Sequence, residues 1–180
     1  SEPTKDRLRV VGESVDRFDQ SVSRLTTLIA EKPDRIDAAL TLADLQRGRE
    51  RYAEAVAAYD IAIARLRKVD ERHWPIYFGR GIALERTKQW PKAEIDMKKA
   101  LELSPEQPHV LNYLGYSWID QGLHLDEGMK MLTRATELRP DDGAISDSVG
   151  WAYFKLGRFR EAAEILEEAV QLAPLLRLPH

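Results

Sequence analysis

Four histidines could ligate a metal ion or transfer protons near neutral pH, and they stand at His73, His109, His124 and His180. A zinc site on one helix places two histidines four residues apart, usually in an H-E-x-x-H pattern. No pair among these four has that spacing, and the pattern is not found in the sequence. Each histidine is therefore interpreted as a loop or helix-cap residue, and the sequence predicts no metal site.

Two other patterns could carry chemistry, and neither has the context that its chemistry requires. Gly79-Arg80-Gly81 resembles part of a phosphate loop, but no strand-like run precedes it and no further glycine follows in register. The acidic pairs Asp141-Asp142 and Glu167-Glu168 read as a helix-entry turn and a solvated face, whereas acid–base catalysis needs an enclosing cleft. There is no G-x-S-x-G elbow for a serine nucleophile. The sequence therefore predicts no enzyme and no cofactor.

The composition is that of a folded protein and gives no indication of nucleic-acid binding. Of its 180 residues 43% are apolar, and its net charge of −3 gives no general attraction to a polyanion. It has no cysteine, which excludes disulfides and thiolate sites, and no apolar run approaches the roughly 18–20 residues that span a bilayer. The chain opens on Ser1 rather than Met, so we expect a piece of a longer protein, whose signal peptide could lie elsewhere.

One pattern is written twice between Leu111 and Pro174. Gly115 and Gly150 are matching positions 35 residues apart, and each copy contains two amphipathic helical patterns that end at a proline, Pro140 or Pro174. A self-match with a period of roughly 34 residues is typical of a helical repeat array.

These residues resemble the tetratricopeptide repeat (TPR) family, whose motif has a small residue at the first helix crossing, alanines on the second helix and a closing proline. The resemblance implies an all-α fold, a right-handed superhelical solenoid of helix-turn-helix repeats, with about nine helices between Glu13 and Pro174 and no strand. Small residues such as Gly81, Gly115 and Gly150 would let the helices approach to about 8–10 Å.

The repeat pattern divides the chain into segments of one continuous domain. Residues 1–12 are either a worn first helix or a frayed lead-in, and Glu13 begins the helical pattern. Two turns lack the family's usual glycine: the turn near Gly48 has none beside the helix end, and Lys88 replaces the other. The predicted segments are a lead-in with the second helix of a partial repeat (1–35), a repeat with an extended loop (36–73), three further repeats (74–107, 108–142 and 143–176) and a tail (177–180).

In the TPR family the first helices of successive repeats line a concave groove, and the resemblance places a partner-binding surface there. Its predicted residues are Phe78, Ile82, Arg86, Asn112, Tyr116, Ile119, Asp147, Trp151, Phe154 and Lys155, and the first repeat would add Leu40, Asp44 and Arg47. We expect the rings of Tyr116, Trp151 and Phe154 to lie within reach of one ligand segment. The open alternative is that Trp151 and Phe154 are simply core residues.

A narrower resemblance rests on LNYLGYSWIDQG, DSVGWAYFKLGRFREA and DERHWPIYFGRGIALER. These segments are similar to a subgroup of larger TPR proteins of alphaproteobacteria that often carry an export or lipoprotein signal. The resemblance implies a bacterial parent with a periplasmic or envelope location.

The predicted function is a non-catalytic scaffold that binds a protein or an extended peptide in the groove. A second hypothesis is a structural module that self-assembles through uncapped ends, because APLLRLPH follows the last repeat without a polar capping helix. Either a second molecule or the leucines of that tail would then cover the last helix pair. The residues concerned are Tyr153, Leu156, Ile165 and Leu172 on the helix pair and Leu175, Leu176 and Leu178 in the tail. A third hypothesis is an accessory domain of an enzyme whose catalytic part lies elsewhere.

Overall fold

A computed structural model describes the backbone of residues 2–172 and the side chains of residues 14–167. Within residues 2–172 every regular element is helical, which confirms the predicted all-α fold. The nine α-helices of this part of the chain are α1 (Glu2–Glu31), α2 (Asp37–Gly48), α3 (Tyr52–Ala64), α4 (Trp74–Arg86), α5 (Trp90–Leu103), α6 (Pro108–Asp120), α7 (Leu125–Leu138), α8 (Gly143–Lys155) and α9 (Phe159–Leu172). None of them is both long and apolar enough to cross a bilayer.

Helix α1 is longer than the sequence predicted. It begins at Glu2 instead of Glu13, so residues 2–12 continue the helix and form neither a separate worn helix nor a frayed lead-in. Pro33 follows its last turn and cannot continue it. The Arg65 guanidinium donates through Nη2 to the carbonyl oxygen of Ile29 (2.9 Å) and through Nη1 to that of Arg35 (3.0 Å). The Ile29 carbonyl belongs to the last turn of α1, where a cation interacts favourably with the helix dipole.

The residues form two compact units, 1–96 and 97–180, and the division falls inside α5. In the first unit, alanines of α2 and α3 pack around the buried ring of Tyr59 together with Ile76. In the second, Ile119, Leu132, Val149 and Ala152 form one buried cluster and another forms around Ile145. Ala43, Ala55 and Ala135 are fully buried in these clusters, where their small side chains allow neighbouring helices to pack closely.

The same Schellman motif ends the first helix of all four helix pairs. Its residue with positive φ is Glu50 (58°), Lys88 (60°), Gly122 (72°) or Gly157 (73°). Around Lys88, for example, the Gln89 amide donates to the Leu84 carbonyl (2.9 Å) and the Lys88 amide to the Glu85 carbonyl (2.8 Å). The first two turns therefore adopt the glycine conformation without a glycine, at a cost in backbone strain.

The extra residues before α4 form an ordered connection. Glu71–His73 make a 3-10 turn whose capping box pairs Asp70 with the backbone amide of His73 and the His73 ring with that of Asp70. The Arg72 guanidinium also donates to Asp70 (2.8 Å), and this hydrogen bond lowers the pKa of the Asp70 carboxyl to about 2. The predicted extended loop is therefore capped by its own side chains.

Helices α6 and α7 approach most closely where two glycines face each other. A Cβ atom added at Gly115 would lie 2.8 Å from the carbonyl oxygen of Gly128, and one added at Gly128 would lie 3.0 Å from that of Gly115. At Gly150 the nearest atom, on Leu166, would be 3.6 Å away, an ordinary contact. The close crossing expected at both Gly115 and Gly150 is therefore found only at the first.

Candidate binding surfaces

An exposed group of aromatic rings stands at the end of α8 and the start of α9. We define the ring cluster as Trp151, Phe154 and Phe159, whose residues are 40%, 51% and 62% exposed. The Trp151 and Phe154 rings are stacked with centroids 5.5 Å apart, and Phe159 meets Phe154 edge-on at the same distance. Rings that touch one another and still face solvent provide apolar area that a partner can bury.

Two charged side chains hold the tryptophan of the ring cluster in place. The Trp151 indole N–H donates to Oδ1 of Asp120, the last residue of α6 (3.1 Å). The Lys155 ammonium lies 3.6 Å from the same carboxylate oxygen and 5.7 Å from the centroid of the Trp151 ring. The ring is therefore oriented before any ligand arrives, which lowers the entropy that binding would cost.

The predicted residues of α6 are less accessible than expected. Ile119 is only 2% exposed and packs with Leu132 and Val149, so its assignment to the binding surface is wrong. Tyr116 is half-buried against this same cluster, whereas Trp151 stacks on the exposed Phe154. Asn112 is half-buried too, and its Oδ1 atom is enclosed without a hydrogen bond from the described residues. A helix that is buried on most of its circumference leaves few positions for a ligand.

Three further predicted residues, Arg86, Asp147 and Lys155, are exposed. Asp147 lies on α8 one turn before Trp151, and therefore on the same face of that helix. Arg86 ends α4 and extends its guanidinium over the Tyr52 ring, 5.7 Å from the centroid. The charge of Arg86 is thus accessible, but its side chain is engaged with α3.

The first unit contains a cavity of about 260 Å³ between α2 and α4. It is lined by the predicted residues of both helices and by buried groups beneath them. These residues, the α2–α4 cavity, are Leu40, Asp44, Arg47, Tyr59, Trp74, Pro75, Ile76, Phe78, Gly79 and Ile82. The structure thus brings Phe78 and Ile82 together with Leu40, Asp44 and Arg47.

Tyr59 forms the polar floor of the α2–α4 cavity. Its hydroxyl donates to Oδ1 of Asp44 (2.6 Å) and accepts from Nε of Arg47 (3.1 Å), and Arg47 Nη2 lies 3.5 Å from the same oxygen. Burial, and then the hydrogen bond to Asp44, raise the pKa of the Tyr59 phenol, which stays neutral. Burial alone would lower the pKa of Arg47, but the interactions with Tyr59 and Asp44 outweigh it and raise that pKa.

Gly79 lets α4 rest directly on Tyr59. An added Cβ atom would overlap the Tyr59 hydroxyl and lie 2.7 Å from its Cζ atom. The glycine in Gly79-Arg80-Gly81 therefore serves packing, as the sequence indicated.

Three residues have roles that the sequence did not indicate. Tyr59 reads as an apolar position of α3, and Phe159 stands at a helix start where periodicity says little. Arg80 stands between two glycines in the sequence, which gave no sign of its contacts. Its guanidinium makes a bidentate pair with the 3% exposed Asp96 (2.7 and 2.8 Å) and a third hydrogen bond to Asp60 (2.7 Å). These hydrogen bonds raise the pKa of Arg80, and a guanidinium held between two carboxylates in this way is structural.

Two of the histidines lie in a loop or at a helix cap, as the sequence indicated, whereas His109 lies in the first turn of α6. His73 is part of the capping box before α4, and His124 stands at the N-cap of α7 against the Trp118 ring, 4.8 Å between centroids. His180 lies outside the described residues. Among the described residues no three histidine or acidic side chains form a group that could hold a metal ion.

The exposed side of the last helix pair, α8 and α9, differs from the prediction. Tyr153 and Ile165 pack against the cluster around Ile119, and Leu156 is half-buried. The exposed apolar residues there are Phe159 and Leu166, the latter 49% exposed. The side chain of Leu172 and the leucines at 175, 176 and 178 lie outside the described residues.

Comparisons with known proteins agree with the repeat fold. A relative from Pseudomonas aeruginosa, the TPR repeat-containing protein PA4667, is 26% identical over 159 residues; these cover 88% of this chain and 26% of the relative. The chain thus spans about a quarter of that relative's length.

Two solved structures share the fold. MamA from Desulfovibrio magneticus RS-1 superimposes with a TM-score of 0.78 at 15% identity, covering 99% of both chains. YrrB, described as a TPR protein with an unusual peptide-binding site, gives 0.71 at 18% identity and covers 90% of this chain and 81% of its own.

The family patterns cover most of the sequence. Two patterns described as tetratricopeptide repeats match it, one over residues 15–67 and 40–108 and the other over residues 147–176. With the helix pairs described above, these matches show that the chain belongs to the tetratricopeptide repeat family.

Proposed function

We propose that this chain is a non-catalytic scaffold that binds a protein or extended peptide, and that the ring cluster is its principal anchor. The observation that carries the proposal is the exposure of Trp151 and Phe154, two rings that stack on each other while their residues remain 40% and 51% exposed. Fully buried aromatic anchors typically contribute about 2 kcal/mol or more each to binding. Isolated core rings would not retain this exposure.

Two features indicate what such a partner offers. The ring cluster supplies apolar area, while Lys155, Asp120 and Asp147 supply both signs of charge around it. A polar rim around an apolar centre is typical of protein interfaces. The peptide site of the structurally similar YrrB supports a peptide as the class of ligand.

The test compares a Trp151→Ala, Phe154→Ala double variant with Leu123→Ala, a control of matched exposure (40%) in the loop before α7. Tyr116 is left unchanged, because its ring packs against the core and its loss would confound binding with folding. A partner is first isolated with the full-length parent from its own cells and purified, and each variant is then titrated with it by calorimetry.

We expect the double variant to lose at least about tenfold in affinity, with an unchanged melting temperature, and the control to bind like the wild type. Equal affinities for the double variant and the control would refute the ring cluster as an anchor. A melting temperature lowered by many degrees at unchanged affinity would mean that these rings are core residues.

A second candidate function is self-association, favoured by the exposure of Phe159 and Leu166 on α9. A partner copy that covers both would make the mass measured by light scattering rise with protein concentration. Leu166→Arg would then restore a monomer. A strict monomer at high concentration would rule this candidate out.

A further inference from the structure

We propose that the α2–α4 cavity is a peptide subsite that takes one uncharged apolar side chain and pairs the adjoining backbone amide with Asp44 and Arg47. The inference rests on the proposed function in treating the ligand as a peptide. It concerns the first unit, whereas the ring cluster belongs to the second, so the two can be tested separately.

The size and walls of the cavity select a single side chain. Its volume of about 260 Å³ lies below the 300–1,000 Å³ that is usual for pockets that hold whole small molecules or cofactors. Leu40, Phe78 and Ile82 provide apolar walls, and the Trp74 ring stands 6.1 Å from that of Phe78. An aliphatic or aromatic side chain buried here would gain the hydrophobic transfer energy of its own surface.

The polar floor leaves one acceptor and several donors for a ligand. The Tyr59 hydroxyl is used both as donor and as acceptor, so it fixes Asp44 and Arg47 without competing for a ligand. The two side chains are 62% and 38% exposed. A carboxylate accepts at both oxygens and a guanidinium carries five N–H groups, so each retains hydrogen-bonding capacity beyond its bond to Tyr59.

The paired charges of the floor disfavour ligands that carry a net charge. Asp44 and Arg47 carry opposite charges 3.5 Å apart, so a ligand carboxylate attracted by one is repelled by the other, and a ligand ammonium likewise. A peptide amide is neutral and offers one N–H and one C=O, which match the acceptor of Asp44 and the donors of Arg47. The arrangement therefore fits the backbone of an extended segment beside an apolar side chain.

The test uses capped single amino acids as probes: the N-acetyl N-methylamides of leucine, glutamate and lysine. Each is titrated into the isotope-labelled 180-residue chain, and amide chemical shifts are followed by NMR. We expect capped leucine to give saturable shifts at Phe78, Gly79 and Ile82, with an affinity about tenfold above that of either charged probe.

Charge variants make the test sharper. Asp44→Asn leaves the Arg47 charge uncompensated, so the preference should move toward capped glutamate by about fivefold or more. Arg47→Gln should move it toward capped lysine by a similar factor. Tyr59→Phe should weaken capped leucine several-fold, because the floor loses the hydroxyl that holds it. The matched control is Tyr77→Phe, another buried tyrosine of the same unit, which should bind like the wild type.

Four results would overturn the inference. The wild-type chain could prefer a charged probe, or the chemical shifts could arise away from the cavity. The charge variants could keep the wild-type preference, or the cavity shifts could appear when the protein is concentrated without any probe. The last would mean that a second copy occupies the cavity. Amide spectra of the variants establish that each is folded. The two proposals fail separately: a wild-type chain that binds the partner but shows no cavity shifts with capped leucine refutes only the subsite, and a Trp151→Ala, Phe154→Ala variant that keeps both capped leucine and the partner refutes only the ring cluster.

Discussion

The close crossing of α6 and α7 permits a sharp test with one methyl group. Gly115→Ala would place a Cβ atom 2.8 Å from the Gly128 carbonyl oxygen and 3.1 Å from Cβ of Met131. Both obstacles belong to the backbone or stand next to it, so they cannot rotate away. Gly150→Ala makes the same chemical change in the same unit, but its new methyl group would meet only Leu166 at 3.6 Å.

The expected magnitudes follow from two terms. Replacing a helical glycine by alanine stabilises by about 0.5–1 kcal/mol, since glycine loses more conformational freedom on folding. Overpacking costs about 1–3 kcal/mol when the backbone must move. Gly115→Ala should therefore lower the free energy of unfolding by about 1–2 kcal/mol and Gly150→Ala should raise it by about 0.5 kcal/mol. Their difference of about 2 kcal/mol corresponds to about 4–8 °C in melting temperature for a chain of this length.

Urea unfolding and thermal melts followed by circular dichroism would measure both variants beside the wild type. Because repeat arrays need not unfold in one step, amide hydrogen exchange of α6 and α7 should be followed as well. Faster exchange confined to these helices in Gly115→Ala is the expected pattern. If Gly115→Ala proved as stable as Gly150→Ala, the close approach of the two helices would be wrong.

Three further predictions concern single side chains. Lys88→Gly should raise the free energy of unfolding by up to about 1 kcal/mol in urea titrations, because glycine relieves the strain of a positive φ; a loss of stability would contradict the assigned turn. Asp96→Ala should cost about 3 kcal/mol in the same assay, since it leaves the buried side of Arg80 without its carboxylate, and a neutral outcome would mean that the pair is solvated. The Asp70 carboxyl should titrate by NMR near pH 2, and Arg72→Ala should raise this midpoint. Because the folded-state pKa is depressed, the contribution of Asp70 to stability is present above its ordinary pKa of about 3.9 and is lost as the pH falls toward 2.

The sequence alone was sufficient for the fold class and family. The glycines and prolines that recur with a period of roughly 34 residues indicated stacked helix pairs. Such pairs must stack because each can bury its apolar face only against a similar neighbour. The sequence also indicated correctly that His73 and His124 are loop or cap residues and that Gly79 serves packing. Local patterns of this kind survive folding because they depend on residues close in the chain.

The closeness of each helix crossing depended on tertiary contacts that the repeat pattern does not reveal. Gly115 and Gly150 occupy equivalent repeat positions, yet only Gly115 faces a second glycine, Gly128, across the crossing. Gly128 aligns with Ala93 and Ala162 in the repeat, so a stricter alignment could have drawn attention to it. Nothing in the sequence distinguishes a crossing that touches backbone from one that touches a flexible leucine.

The candidate sites show the same division. Family resemblance placed Ile119 and Trp151 on one predicted surface, but Ile119 turned toward Leu132 while Trp151 remained exposed beside Phe159. Helical spacing specifies which residues share a face, and only tertiary packing decides how far the neighbouring helix covers that face. The Tyr59 hydroxyl beneath the α2–α4 cavity is likewise a tertiary result, because its partners lie 12 and 15 residues away in the chain. Sequence determined the repeats and their faces, and the angle and depth of packing decided which of those faces a ligand can reach.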